Sequence, residues 1–299
     1  MLSAVRLLFK RPPVRRLETQ GNVVPAAHDL EEVAPEPFVR SVWPASRLAL
    51  ANELWGPGFI FPGGEAEVLR LTRALGLSAA ASFLLVGVGS GGPASSVTRN
   101  LGAWVTGMES DASLLAASRG LISRAKLGKK VSIKTWDREH PVFAAKSHHH
   151  CLALEPLLDA RPEPILDGLA RALKAGGQLV LTELTAEAPL NPADPIVRRW
   201  GLLEHRDPAA VQASVAVTRM LGRVGLDVRV AEDISQRHVE QAILGWRLMT
   251  RDLADQKPTR QQAAELVREA ELWLLRRRLI RDGQLRMMRW HAIARTSPV

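Results

Sequence analysis

Four closely spaced glycines and one acid form the group of residues that points most clearly to ligand-binding chemistry. The apolar run Phe83-Leu-Leu-Val86 leads into the turn Gly87-Val-Gly-Ser-Gly-Gly92, and a helix is expected to follow directly. Glycines let the backbone take positive φ and let a ligand approach it closely. Glu109 stands about 20 residues further on, at the end of the next predicted strand, where an acid can bind both hydroxyls of a ribose.

The spacing of these glycines favours an adenosine-type ligand over a dinucleotide. The turn reads GxGxGG and not GxGxxG, and the chain holds no second nucleotide-binding half. Ligands of open α/β sheets lie beyond the carboxyl ends of the strands, which is where this turn is expected. A turn with a purely structural role is the alternative.

Two further carboxylates are candidates for acting on a substrate. Glu155 comes just after the fourth predicted strand, and Glu183 ends the fifth, so both are expected at the same edge of the sheet as the glycine turn. A carboxylate in this place could orient or deprotonate an acceptor, and both residues are predicted to be catalytic. The alternative for each is a helix cap or a solvated side chain.

The run His148-His-His-Cys151 suggests a metal site, but the geometry of a strand argues against one. Neighbouring side chains in a strand alternate between its faces, so no more than two of the four share a face. Zinc sites need three or four ligands, and we therefore predict no metal. His205 and His238, each alone in a predicted helical region, are expected at the surface.

Short apolar runs alternate with amphipathic segments, which is typical of a parallel, doubly wound sheet. Strands are predicted over 83–86, 103–108, 131–135, 147–154, 178–183, 226–231 and 284–294. Helices are predicted over 46–54, 65–75, 93–101, 112–124, 164–174, 208–221, 235–254 and 259–281. Because helices separate the last two strands, we expect an antiparallel edge. The predicted fold is α/β, a Rossmann-like, mostly parallel sheet of about seven strands with a helical elaboration before the last strand.

The proline pattern divides the chain into a lead-in and one domain. Residues 1–45 read as a basic, extended lead-in, because their prolines interrupt any regular period. Residues 46–299 are predicted to form a single domain with a helical insertion over 233–283. No internal repeat is visible in the sequence.

Positive charge is concentrated at the two ends of the 299-residue chain. The net charge is +9, with +5 on residues 1–17 and +6 on residues 256–299, so the rest is slightly acidic. A near-neutral body does not suit binding along nucleic acid, whereas basic ends suit a peripheral contact with an anionic membrane. The uncharged stretch 74–98 is broken by glycines and Pro93, so it is not expected to span a bilayer. We expect a cytoplasmic protein, since the chain has one Cys and no secretory signal pattern.

Four segments resemble class I S-adenosylmethionine-dependent methyltransferases, and the resemblance covers residues 50–295. The loop LWGPGFIFPGG, the turn LLVGVGSGGPA and the tail from VAEDISQRHVEQAI to GQLRMMRWHAIAR resemble the phosphoethanolamine N-methyltransferase branch. LKAGGQLVLTEL is similar to the family's junction between a helix and the fifth strand. The resemblance implies S-adenosylmethionine as the cofactor. It also implies that Gly87, Gly89 and Gly91 carry the cofactor turn, that Glu109 binds the ribose, and that Asp137 meets the adenine amino group.

The sequence departs from this family at positions near the cofactor and the acceptor. Leu85 stands where the family has an acid, and Phe61 stands where the family's loop has a small hydroxyl residue. The Asp and His that phosphobase enzymes carry after the fourth strand fall near Leu154 and Leu158, and the chain has no Tyr. These departures argue against a phosphobase as the acceptor.

The sequence therefore predicts methyl transfer from S-adenosylmethionine to a small-molecule or lipid-like acceptor. A methyltransferase fold that has lost catalysis and serves as a binding or scaffold protein is one alternative, which Leu85 and Phe61 favour. A nucleic-acid methyltransferase is the other, but no NPPY-like or DPPF-like motif follows the fourth strand, so nucleic acid is not expected as a partner.

Overall fold

A mixed sheet flanked by helices runs through the computed structural model, which describes residues 42–158, 160–252 and 258–295, and of Asp252 only the backbone. These residues belong to the unit Arg40–Val299. The basic segment 1–17 and most of the predicted lead-in lie outside the described residues. The division of the chain near residue 45 and the membrane contact of its basic ends therefore stay predictions.

The sheet joins seven strands, and its centre is parallel. The strands are β1 (Ser82–Val86), β2 (Trp104–Glu109), β3 (Val131–Thr135), β4 (His148–Leu154), β5 (Leu173–Thr185), β6 (Leu226–Asp233) and β7 (Arg286–Ala294). Their order across the sheet is β3-β2-β1-β4-β5-β7-β6. β1 to β5 pair in parallel, whereas β7 runs antiparallel to both β5 and β6. The α/β, mostly parallel sheet with an antiparallel edge that the sequence predicts is confirmed.

Helices connect the strands and cover the sheet. Within the described residues they are α1 (Ala45–Trp55), α2 (Gly64–Thr72), α3 (Gly92–Leu101), α4 (Ala112–Arg124), α5 (Pro162–Ala172), α6 (Pro195–Glu204), α7 (Ser214–Arg223), α8 (Ser235–Asp252) and α9 (Arg260–Arg281). Short 3₁₀ turns follow α2 and precede α7. None of the helices in the described part of the chain combines the length and the apolar character needed to cross a membrane.

The central strand β1 is buried on both faces, as its unbroken apolar run predicts. Phe83 and Leu85 belong to the apolar cluster on one face, and Leu84 and Val86 belong to the cluster on the other. All four side chains are at most 1% exposed. A shift of one residue would exchange the two sets, so the register is fixed, and the turn after Val86 is held at the carboxyl edge of the sheet.

A layer of helices lies against this core. α8 and α9 both contact α1, and α9 also contacts α6. Trp55 of α1 meets Trp273 of α9 edge to face, with their ring centroids 5.3 Å apart. Gly245 of α8 lies so close to Trp55 that a side chain at this position would overlap the indole ring. α8 and α9 occupy the region where the sequence predicts the helical insertion.

The structure differs from the sequence prediction at three places. The prediction lacks α6, although Asp194 caps this helix by accepting a hydrogen bond from the backbone N–H of Ile196 at 2.8 Å. β5 begins at Leu173, where the sequence predicts the last turn of a helix, because the backbone is already extended there (φ −77°, ψ 143°). Pro208 starts a 3₁₀ turn, and α7 begins only at Ser214.

The first glycine of the turn after β1 should tolerate alanine far less than a glycine of similar conformation elsewhere. Gly87 has φ +77° and Gly176 has φ +71°, so alanine is strained at both, at about 1–2 kcal/mol. A Cβ at Gly87 would also overlap the carbonyl oxygen of Leu154, whereas nothing lies within 4 Å of a Cβ at Gly176. We expect Gly87→Ala to lower the free energy of unfolding, measured in urea, by clearly more than Gly176→Ala. Equal losses would contradict this packing of β1 against β4.

Candidate functional site

A cavity of about 750 Å³ lies at the carboxyl ends of the central strands. The ends of the strands contribute Gly87, Glu109, Asp137, Leu154, Glu155 and Thr182 to its lining. Residues outside the sheet contribute Trp43, Arg47, Phe61, His238, Trp273 and Arg276, among others. This volume lies within the range of roughly 300–1,000 Å³ that small-molecule sites occupy.

The glycine turn joins β1 to α3 at the edge of the sheet that borders the cavity. Gly89 has φ +59°, and its backbone N–H donates a hydrogen bond of 2.8 Å to Oε2 of Glu109. Ile60 covers Gly89, since a Cβ there would lie 3.1 Å from its Cγ1. Gly91, with φ +102°, precedes the first residue of α3. The turn therefore depends on β2 and on the loop before α2.

Glu109 is held by backbone amides from two sides. Oε2 accepts from Gly89, and Oε1 accepts from the N–H groups of Ser110 at 2.9 Å and Asp111 at 3.1 Å. Burial raises the pKa of the Glu109 carboxyl, and these hydrogen bonds oppose the rise. A carboxylate has about four acceptor sites, so about one remains for a ligand in the cavity.

Asp137 lies at the open side of the cavity, after β3. Its side chain accepts a hydrogen bond of 2.8 Å from the backbone N–H of Glu139 and contacts the ring of His140. These two interactions lower the pKa of Asp137. Asp137 is therefore an ionised acceptor at the rim.

Phe61 and Leu85, the two positions where the sequence departs from the family it resembles, both carry apolar side chains. Phe61 lines the cavity and lies edge to face against Phe59, with ring centroids 6.0 Å apart. Leu85 is fully buried and does not line the cavity. Neither residue brings a hydrogen-bonding group to the site.

A buried cluster of carboxylates and arginines, here called the acid–arginine cluster, lies beside the ends of β4 and β5. Nη2 of Arg206 lies 3.1 Å from Oε2 of Glu155 and 3.2 Å from Oε1 of Glu183. Nη2 of Arg276 lies 3.3 Å from the same oxygen of Glu155 and 3.0 Å from Oε1 of Glu204. Glu155 therefore joins two arginines, and the cluster holds three carboxylates for two guanidinium groups.

Burial and the close ion pairs together determine which groups of this cluster are charged. Burial raises the pKa of Glu183 against the opposing charge of Arg206, and the Glu155 carboxylate adds to the rise. Burial opposes the charge of Arg206 as well, but Glu183, Glu155 and Glu204 outweigh it, so the pKa of Arg206 is raised. Arg206 stays charged, and any proton that the cluster takes up goes to a carboxylate.

His238 lies behind Arg276 in the wall of the cavity. Nη1 of Arg276 is 3.3 Å from Nε2 of His238, and since arginine only donates, that ring nitrogen accepts. The imidazole also lies against Trp273, with ring centroids 5.5 Å apart. Burial, together with the charges of Arg276 and Arg237, holds the pKa of His238 well below its usual range. His238 is neutral at pH 7.

The structure brings some of the sequence-predicted site residues to the cavity and leaves others outside it. Gly87, Glu109, Asp137 and Glu155 line the cavity, as do Leu154 and Leu158. Gly89 and Gly91 do not line it and lie in the turn behind. Glu183 is 2% exposed and also lies outside the lining, with its carboxylate bonded to Arg206 and to the backbone N–H of Leu157. The catalytic roles predicted for Glu155 and Glu183 stay predictions.

One expectation about a residue far along the chain is wrong. His238 is buried and not at the surface, because its imidazole packs against Trp273 and Arg276 of α9. Arg276 is buried in the acid–arginine cluster, whereas the neighbouring Arg277 and Arg278 are exposed. Arg47 and Arg206 were not found from the sequence, and for both the only signal is an arginine in or beside an amphipathic helix.

The histidine run on β4 forms no metal centre in the described residues. Among them, no group of three or more His, Cys, Asp or Glu side chains is arranged to hold an ion. Nδ1 of His149 contacts the backbone N–H and the hydroxyl of Ser82, at 3.0 and 2.8 Å. Cys151 is fully buried, and burial raises the pKa of its thiol far above the usual range. These contacts indicate structural roles.

Removing one member of the acid–arginine cluster should destabilise the protein strongly. In Arg206→Met, Glu183 loses its buried partner, and breaking a buried ion pair costs about 3–5 kcal/mol. Arg223→Met, which removes an exposed pair with Glu163, should cost about 1 kcal/mol or less. We expect the double variant Glu183→Gln/Arg206→Met to unfold at higher urea concentration than Arg206→Met alone. Equal midpoints for the single and double variants would contradict this assignment.

Stability should fall on acidification, partly through His238. Its folded pKa lies below the ordinary value of 6.5, so below pH 6.5 the unfolded chain binds a proton that the folded chain does not. The contribution of His238 to the free energy of unfolding is therefore present above pH 6.5 and decreases as the pH falls toward its folded pKa. His238→Gln should make the loss of unfolding free energy between pH 7 and pH 5 smaller. His140→Gln, at a side chain that is 77% exposed, should leave this loss unchanged, and equal pH profiles for the two variants would reject the effect.

Comparison with known proteins connects this geometry to a fold. No protein-family model and no curated protein sequence matches the chain. Phosphoethanolamine N-methyltransferase 2 of Haemonchus contortus, solved with phosphomonomethylethanolamine and S-adenosylhomocysteine, is similar with a TM-score of 0.75 and 17% identity over 86% of this chain. This chain spans 59% of the length of that protein.

Two further solved structures are similar. A protein of Galdieria sulphuraria assigned as a sarcosine dimethylglycine methyltransferase has a TM-score of 0.68 and 12% identity, over 83% of this chain and 98% of its own. The cyclase SpnF has a TM-score of 0.62 and 18% identity, over 84% of this chain and 94% of its own. At these identities the likeness concerns the fold. The chain has the fold of the class I S-adenosylmethionine-dependent methyltransferases, as the sequence resemblance implies.

Proposed function

We propose that this protein binds S-adenosylmethionine in the central cavity and transfers the methyl group to a small-molecule acceptor. The observation that carries the proposal is the contact between the glycine turn and Glu109. Gly89 and Glu109 are joined by a hydrogen bond of 2.8 Å, and the acid lines a cavity of about 750 Å³. Solved structures of the same fold hold S-adenosylmethionine or S-adenosylhomocysteine.

The residues present fit the adenosine half of this cofactor. Glu109 would accept from a ribose hydroxyl through its remaining acceptor site, and Asp137 would accept from the adenine amino group at the rim. Gly87 lines the cavity and leaves its backbone open to a close approach. At the other end, Leu85 is buried and Phe61 is apolar, so neither would hold the charged amino-acid part of the cofactor.

The bound cofactor would supply an activated methyl group on a sulfonium, so the protein needs mainly to align the acceptor and exclude water. Apolar side chains of the cavity, among them Trp43, Phe61 and Trp273, would exclude water. Glu155 lines the cavity and would orient an acceptor by accepting its N–H or O–H, or take up its proton. Glu183 would act as a positioning residue, since it reaches the cavity only through Arg206.

The charges of the cavity support an acceptor that is not a phosphobase. Arg47, Arg206 and Arg276 line the cavity, and each already has a carboxylate partner within 3.3 Å. An anionic acceptor would compete with these carboxylates. Leu154 and Leu158 stand where the phosphobase enzymes carry polar residues, and both line the cavity. We therefore assign an acceptor with an amine or hydroxyl group on an apolar body, which includes a lipid-like molecule.

A binding protein without catalysis is the second candidate, and the apolar end of the cavity favours it. Leu85 and Phe61 remove two polar positions at the cofactor's amino-acid end, so affinity for the cofactor would be lower than with an acid and a hydroxyl there. A fold of this kind does not fix one reaction, since the similar structure SpnF is named as a cyclase. Absence of cofactor binding would favour this second candidate.

Calorimetric titration of the full chain with S-adenosylhomocysteine tests the proposal. We expect micromolar to sub-millimolar binding and a weakening of at least tenfold, about 1.4 kcal/mol, in Glu109→Gln. Asp167→Asn is the matched control, because it removes an exposed carboxylate that pairs with Arg171 on α5, outside the cavity lining. It should bind like the wild type.

Two results would reject the proposal. One is the absence of both a heat signal and a thermal shift at millimolar S-adenosylhomocysteine in the folded wild-type protein. The other is wild-type affinity in a folded Glu109→Gln variant, since the ligand would then bind elsewhere.

A further inference from the structure

A second, smaller cavity lies between α8 and α9. It has a volume of about 320 Å³, near the lower end of the range for small-molecule sites. Ala242, Ile243 and Trp246 of α8 face Trp273 and Ile280 of α9 across it. The cavity, here called the α8–α9 groove, therefore has an apolar floor.

Two arginines stand at the rim of this groove. Arg247 of α8 and Arg277 of α9 both line the groove, and both are exposed. Neither makes an ion pair within the described residues, in contrast to Arg278 and Arg281, which both pair with Asp282. No Asp or Glu of the described part of the chain lines the groove. The groove therefore combines an apolar body with an uncompensated positive rim.

This combination matches one kind of ligand. A guanidinium group binds a carboxylate or phosphate through paired hydrogen bonds, and among the described residues no acid competes for the two at this rim. A hydrocarbon chain gains by leaving water for the apolar floor. We propose that the α8–α9 groove binds a single-chain anionic amphiphile, taken up as a monomer from solution. Its head group contacts Arg247 and Arg277, and its chain lies over Trp246 and Ile243.

The groove shares a wall with the central cavity. Trp273 and Arg276 line both. Arg276 is buried and forms ion pairs with Glu155 and Glu204, which belong to the acid–arginine cluster beside the central cavity. A ligand in the groove would therefore contact Arg276, which is a member of the acid–arginine cluster. The proposal itself does not depend on methyl transfer, since the groove is tested without cofactor.

Binding is tested with laurate, below its micelle concentration, on the full chain. Tryptophan fluorescence reports on Trp246 and Trp273, and calorimetry gives the stoichiometry. We expect saturation at one laurate per chain and a raised melting temperature. Dodecyltrimethylammonium has a hydrocarbon chain of similar length and the opposite charge, and it should bind at least tenfold more weakly.

Two double variants distinguish the effect of the two arginines at the rim of the groove from the effect of positive charge elsewhere on α9. Arg247→Gln/Arg277→Gln should weaken laurate binding at least tenfold. Arg278→Gln/Arg281→Gln removes the same charge from the neighbouring turn of α9, outside the groove, and should bind laurate like the wild type. A third variant, Ala270→Phe, fills the groove from α9 and should abolish saturable binding.

Four outcomes would overturn the proposal. These are equal affinity for the two amphiphiles, equal loss in the two arginine variants, and unchanged binding in Ala270→Phe. The fourth is the absence of saturable binding of monomeric laurate, whether or not the protein floats with vesicles of phosphatidylcholine and phosphatidylglycerol.

Discussion

The acid–arginine cluster is the constraint on which the arrangement of the helices over the sheet depends. Glu155 and Glu183 stand at the ends of β4 and β5, whereas Arg206 follows α6 and Arg276 belongs to α9. A buried charge without a partner is costly, so neither layer can bury its charged groups without the other. The positions of α6 and α9 therefore depend on the carboxylates at the ends of β4 and β5. The cluster also fixes one side of the central cavity.

Local backbone geometry aims Arg206 at this cluster. α6 ends at Glu204, and the next residue, His205, adopts the left-handed conformation with φ 54° and ψ 44° and changes the direction of the chain. The N–H of Arg206 returns to the carbonyl of Gly201 at 3.0 Å. A side chain at Gly201 would lie 2.8 Å from the carbonyl oxygen of Arg206, so the glycine permits this close return. A turn of a few residues therefore decides where a fully buried guanidinium lies.

The sequence predicts the sheet and the part of the site at its edge, because both follow from local periodicity. The unbroken apolar run of β1 marks a strand buried on both faces, and parallel strands bring their carboxyl ends together. Gly87, Glu109 and Glu155 are found in this way. α6 escapes prediction although Asp194 followed by Pro195 is a start signal for a helix, since the apolar spacing after it is short.

The remaining walls of the site depend on contacts between distant parts of the chain. Arg276 and Glu155 are 121 residues apart in sequence, and nothing near either residue specifies the other. Three consecutive arginines on one helix cannot share a face, so the sequence does not tell which of them turns inward. The burial of His238 could be predicted from its spacing, because it lies four residues after Ile234 and four before Ala242, both of which are buried.

The two departures from the family pattern, at positions 85 and 61, share the same apolar surroundings. Leu85 is a fully buried member of an apolar cluster, and Phe61 packs against the same cluster. A carboxylate at position 85 would be buried among apolar side chains with no hydrogen-bond donor from Phe61, and burying an unpaired charge is costly. Leucine at 85 and phenylalanine at 61 are therefore compatible with each other. A carboxylate at 85 would need a hydrogen-bond donor that Phe61 does not supply, so the apolar character of both positions follows from the one cluster to which they belong.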